Sequence, residues 1–86
     1  MTKEDNKTMD ILVNNVLFYR VTQNISQQEL SRLIGKPDNY IERLESFKLK
    51  RVPDLFTLMG IAMALGIEFD LLLQDNSIIE KIVNGG

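Results

Sequence analysis

The chain has no cysteine and no histidine. Without cysteine it can form no disulfide and no thiolate metal site. Without histidine it lacks the commonest metal ligand and the commonest general base. It also lacks a glycine-rich phosphate loop, and scattered carboxylates alone do not make a catalytic site. These absences argue against an enzyme, a bound metal and a cofactor. No apolar run approaches the roughly 18 residues that a membrane span needs. The opening segment, MTKEDNKTMD, is polar and mixed in charge, unlike a secretory signal. Excess positive charge is missing too: 10 basic residues stand against 12 acidic ones, a net charge of −2. At 86 residues the chain makes one domain with a modest core. The expectation is a small helical protein of the cytoplasm.

What is present is helical periodicity. The first eight residues suggest a flexible arm. From Met9 apolar residues recur at helical spacing through Leu12, Val13, Val16 and Leu17, which predicts helix 1 over about 9–22. Asn24 breaks it. Ser26 and Glu29 stand three apart, the spacing of a capping box, and open helix 2 over about 26–34. Leu30, Leu33 and Ile34 form its apolar stripe, and Gly35 ends it. Pro37 suits a first helical position, so helix 3 is expected over about 37–46, with Ile41 and Leu44 facing inward. A basic loop follows. Pro53 then opens helix 4, with Leu55, Leu58, Ile61, Ala62 and Leu65 expected in the core. Gly66 ends that helix, and residues 67–73 give another turn or two. A short helix carrying Ile78, Ile79, Ile82 and Val83 is expected within residues 75–86.

The order and spacing of these pieces resemble the phage repressor and Cro type of helix-turn-helix domain. YR followed by SQQELSRLIG, then IERLE, PDLFTLMGIAMALGI and EFDLLL, carry the resemblance. Each piece is weak alone, and together they are fairly specific. The resemblance implies an all-α, lambda-repressor-like bundle of about five helices over residues 9–74, with the short C-terminal helix appended. It implies double-stranded DNA as partner, with helix 3 in the major groove. It places base reading on Pro37, Asp38, Asn39 and Arg43, and a phosphate contact on Tyr40. Gln27 falls where the family holds a backbone phosphate, at a helix start whose free amides favour an anion. Lys48, Lys50 and Arg51 fall where the family grips the strand. Glu45 and Arg20 fall where it places a structural ion pair.

The side chains suit these roles. Arg43 can present a fork to guanine, Asn39 can pair with adenine, and Asp38 can accept from cytosine. Asp38 can instead cap helix 3, its carboxylate turned to the amides of residues 40 and 41. Arg43 can instead sit on a solvated helix face. Net acidity does not forbid DNA, because the charge is polarised. Residues 32–51 hold six basic and three acidic side chains, whereas the remainder holds four basic and nine acidic.

Two departures from the family pattern are informative. Phe47 stands where the family has glycine, so the exit from helix 3 is expected to be built differently. Phe56, Gly60 and Met63 stand on one face of helix 4 where polar residues are usual, and Leu71 replaces an acid. This apolar patch needs a cover. The C-terminal helix can supply it, or a second copy across a two-fold axis. Gly60 suggests close approach of another backbone. The expected function is a dimeric, DNA-binding transcriptional repressor. The alternative is a protein-interaction module using the outer face of helix 4.

Overall fold

The computed structural model describes residues 3–76. Ile78, Ile79, Ile82 and Val83, expected on a C-terminal helix, lie outside the described residues. Five helices follow in order: α1 Lys3–Thr22, α2 Gln27–Leu33, α3 Tyr40–Glu45, α4 Leu55–Leu65 and α5 Phe69–Leu72. There is no strand among the described residues. Nor is any described helix long and apolar enough to cross a membrane.

Helix α1 begins at Lys3, so most of the expected flexible arm is helical. The segment KEDNKT holds no glycine or proline to stop a helix. Met9, Leu12, Val13 and Val16 of α1 are buried against Leu30, Ile41, Leu44, Leu58, Ile61, Ala62, Leu65 and Leu72. Leu17, Leu33 and Leu55, expected in the core, are exposed instead.

Four helices end in one way. Asn24, Gly35, Phe47 and Gly66 all take left-handed φ values, between 59° and 72°. After each of them the next amide reaches back to the last turn: Ile25 to Arg20, Lys36 to Ser31, Lys48 to Arg43 and Ile67 to Ala62, at 2.8–3.0 Å. This is the Schellman arrangement, which satisfies carbonyls that a helix end leaves open. Asparagine and glycine reach that conformation readily, whereas phenylalanine does so at a cost of about 1–2 kcal/mol. The exit from α3 is therefore built like the others, contrary to the expectation drawn from Phe47.

Side chains from α1 and the residue just after it bond the ends of α5 and α4. Buried Asn15 donates from Nδ2 to the Leu72 and Gln74 carbonyls at 2.7 and 3.0 Å. Gln23 Nε2 donates to the Leu65 carbonyl at 2.7 Å. These three bonds tie α1 and the residue just after it to the ends of α5 and α4. The periodicity of α1 does not reveal them.

Candidate nucleic-acid interface

The pair α2 and α3 forms the helix-turn-helix. Ser26 caps α2, its Oγ accepting from the Glu29 amide at 3.0 Å. The reciprocal bond of a capping box is absent among the described residues. Gly35 then turns the chain.

Helix α3 starts at Tyr40, three residues later than Pro37 suggests. Pro37 belongs to a turn in which the Tyr40 amide donates to the Pro37 carbonyl at 2.9 Å. Asn39 is the N-cap residue but makes no side-chain cap bond. The cap comes from elsewhere. Ser31, fully buried on α2, accepts from the Ile41 amide at 2.9 Å and donates to the Gln27 carbonyl at 2.8 Å. One hydroxyl thus fixes both the start of α3 and its distance from α2. Sequence reasoning missed Ser31. The only signal is a small polar residue beside the buried stripe of α2.

The far end of α3 is held by charge. Arg20 Nε and Nη2 donate to the two Glu45 oxygens, each at 2.8 Å. Arg20 Nη1 donates to the Ile25 carbonyl at 3.0 Å. The pair is largely withdrawn from water, with side-chain exposures of 12% and 7%. Gln27 Nε2 adds a third bond to Glu45, at 2.8 Å. Gln27, assigned to a phosphate, has its side-chain amide committed to this junction, and only its backbone amide keeps the position of an anion donor.

Asp38 does not cap α3. Its carboxylate accepts from Arg32 Nε and Nη2 at 3.0 and 2.9 Å, and from Gln28 Nε2 at 2.9 Å. The hydrogen bonds from Arg32 and then Gln28 hold the Asp38 carboxyl below the usual range, and Asp38 in turn raises the Arg32 guanidinium. The cluster is exposed, so its worth to stability is small. It does decide what this surface offers: a guanidinium and an amide arranged around one carboxylate. Arg32 and Gln28 join the face without having been assigned to it.

The remaining assigned residues fall as follows. Pro37, Asn39, Arg43, Lys48, Lys50 and Arg51 are exposed, and Tyr40 is half-buried. Arg43 Nη2 lies 3.4 Å from the Lys48 carbonyl, a weak contact that leaves the fork open. Lys48 Nζ stands 3.9 Å from Glu42. Lys50 and Arg51 form no ion pair among the described residues. Lys36 Nζ lies 5.4 Å from the centre of the Tyr40 ring, a cation–π contact. Burial, and next the Asp54 charge, raise the Tyr40 hydroxyl above its ordinary value. Asp54, not Pro53, sets the start of α4, its Oδ1 accepting from the Thr57 amide at 2.8 Å.

On α4 the expected patch is only partly as drawn. Phe56 and Met63 are 84% and 80% exposed. Gly60 faces inward: a Cβ there would meet Ile34, the C-cap residue of α2, at 3.7 Å, ordinary contact distance. It marks no approach of another backbone. Leu71, on α5, is half-buried. Met59 and Leu55 complete the open face instead, at 45% and 58% exposure.

No curated protein matches the chain. Among solved structures it is similar to a hypothetical transcription factor, NHTF, from Neisseria. That similarity has 26% sequence identity and a TM-score of 0.77, and covers 91% of this chain and 87% of the other. A helix-turn-helix family model matches residues 18–72, well over half of the chain. By that match the chain belongs to the repressor and Cro type of helix-turn-helix family, a family of DNA-binding transcription regulators.

Proposed function

We propose that the protein reads double-stranded DNA sequence-specifically, with α3 in the major groove, and represses transcription as a dimer on two half-sites. One observation carries this reading. Asn39, Arg43, Lys48, Lys50 and Arg51 are all exposed on α3 and the segments flanking it, while Ser31 and the Arg20–Glu45 pair anchor the helix from behind. Arg43 offers a bidentate fork to guanine, and Asn39 an amide to adenine. Lys48, Lys50 and Arg51 supply phosphate contacts.

The acidic total does not oppose this. The Debye length is about 8 Å at physiological salt, so carboxylates on the far side act weakly at the interface. Roughly three to five phosphate contacts per copy make binding weak for one copy and steep in salt. Two copies on two half-sites give the tighter complex.

Binding to a random-sequence duplex pool across a salt series, followed by selection of bound sequences, tests the reading. The expected result is an enriched, two-fold-symmetric motif, with log affinity falling linearly in log salt. Arg43→Ala then loses about 1–3 kcal/mol and relaxes one base position, whereas Lys50→Ala weakens every sequence alike and lowers the salt slope by about one. Weak binding with no enriched motif overturns the reading. The open face of α4 then favours the second reading, a module that binds another protein.

A further inference from the structure

We propose that the open face of α4 is the surface by which two copies of this chain pair, antiparallel, across a two-fold axis near Met59. The inference deepens the dimer reading above but does not depend on DNA. Helix α4, LFTLMGIAMAL, carries no charged residue on any face. A helix that is apolar all round belongs in a core. Here one side is packed, through Leu58, Ile61, Ala62 and Leu65, and the other is open, through Leu55, Phe56, Met59 and Met63.

The size of the open face fits a second copy. A large apolar side chain presents on the order of 150–250 Å² when fully open, so these four expose roughly 500 Å² per copy. Two such faces reach the roughly 1,000 Å² that a specific interface needs. One such face lies at the upper end of the largest apolar patch a monomer carries, and patches of that size are often functional.

Charge favours self-pairing and chooses its direction. A stripe without charge meets its own two-fold copy with no like-charge opposition. Lys50 and Arg51, with Asp54 at the N-cap, leave a net positive charge just before the first turn of α4. Parallel pairing would bring the net positive ends of both copies together. Antiparallel pairing sets them at opposite ends of an 11-residue helix. That helix is about 16 Å long, some two Debye lengths. Leu55 and Phe56 of one copy then lie over Met63 of the other, and Met59, midway, meets its mate. Methionine is suited to such a surface because its flexible thioether adapts to what it meets.

Sedimentation equilibrium without DNA, over a dilution series, tests the proposal. The full chain is expected to reach twice its 9.9 kDa mass reversibly. Phe56→Glu and Met63→Glu are each expected to raise the dimer dissociation constant at least about tenfold with the helical circular dichroism unchanged, because a charge would be driven into an apolar contact. The absence of cysteine makes a single-site probe clean. Met59→Cys is expected to oxidise to a covalent dimer, and Asn39→Cys, on the α3 side, is not. A chain that stays monomeric overturns the proposal, as does a dimer indifferent to both glutamates. A dimer that leaves Met59→Cys unlinked overturns the antiparallel pairing. Selection of a DNA motif by a monomeric chain would sink this inference and the dimer part of the reading above but leave its DNA part standing, and a dimer that selects no motif would sink the DNA part alone.

Discussion

Replacing Glu45 by glutamine removes one charge from the point where α1, α2 and α3 meet. The carboxylate accepts three hydrogen bonds at 2.8 Å, two from Arg20 and one from Gln27. An amide has one oxygen, so its NH₂ must face at least one of those donors. Arg20 then keeps its charge at 12% exposure, with the Ile25 carbonyl and a neutral oxygen as partners. Removing one member of a buried pair costs about 3–5 kcal/mol; retention of one oxygen places Glu45→Gln near 3 kcal/mol. A domain of this size is stable by about 4–13 kcal/mol, so the loss is a large share. It corresponds to a fall in Tm of roughly 15 °C. Urea unfolding followed by far-UV circular dichroism is the assay, with the midpoint moving and the slope unchanged. The double variant Arg20→Met/Glu45→Leu should lose much less than the two single changes combined, because no charge is left stranded. A Glu45→Gln loss below about 1 kcal/mol, or additive single changes, would show that the pair does not hold α3 to α1.

Three further outcomes follow from the same geometry. Ser31→Ala should cost about 1–2 kcal/mol in urea unfolding, since the Ile41 amide loses its buried acceptor. Phe47→Gly should raise stability by about 1 kcal/mol, because glycine holds the left-handed conformation without strain; a loss of stability would mean that the exposed ring has a packing role. The Asp38 carboxyl should titrate below the ordinary aspartate range by NMR, and Arg32→Ala should move it up toward that range, with the Gln28 bond still holding it down in part. Because its folded value is depressed, its contribution to stability is present at neutral pH and is lost as pH falls through that value.

The sequence makes the scaffold legible and the surface much less so. The stripe Leu12–Val13–Val16, the Ser26 cap and the turn at Gly35 each follow from local rules, and their order points to the family. The Arg20–Glu45 pair spans 25 positions and becomes visible only through that resemblance. The start of α3 is misplaced because Pro37 satisfies a local rule for a first helical residue, whereas Ser31, six positions earlier and on another helix, decides the matter. Asp38 is misjudged for a similar reason. Its local options are the amides of residues 40 and 41, yet Arg32 lies across the turn and takes the carboxylate. Gly60 suggests an intermolecular approach from composition alone; the packing of Ile34 beside it accounts for its inward position. Periodicity also cannot separate Leu17, Leu33 and Leu55 from true core residues, because each lies at the margin of a helical stripe.

How α3 is fastened bears on what the protein can become. Six residues are too few to hold a helix by themselves. Its start is supplied by Ser31, its end by Arg20 and Gln27, and its exit by backbone bonds at Phe47. None of these uses the outward side chains of residues 39 and 43. Those two positions are therefore free to vary without disturbing the helix that carries them, and a change of target sequence need not be a change of stability. Position 38 is the exception, because exchanging Asp38 also releases Arg32 and Gln28 and so alters three contacts at once. If α3 reads DNA as proposed, a lineage descending from this chain could shift its operator in small steps at 39 and 43, and in one large step at 38.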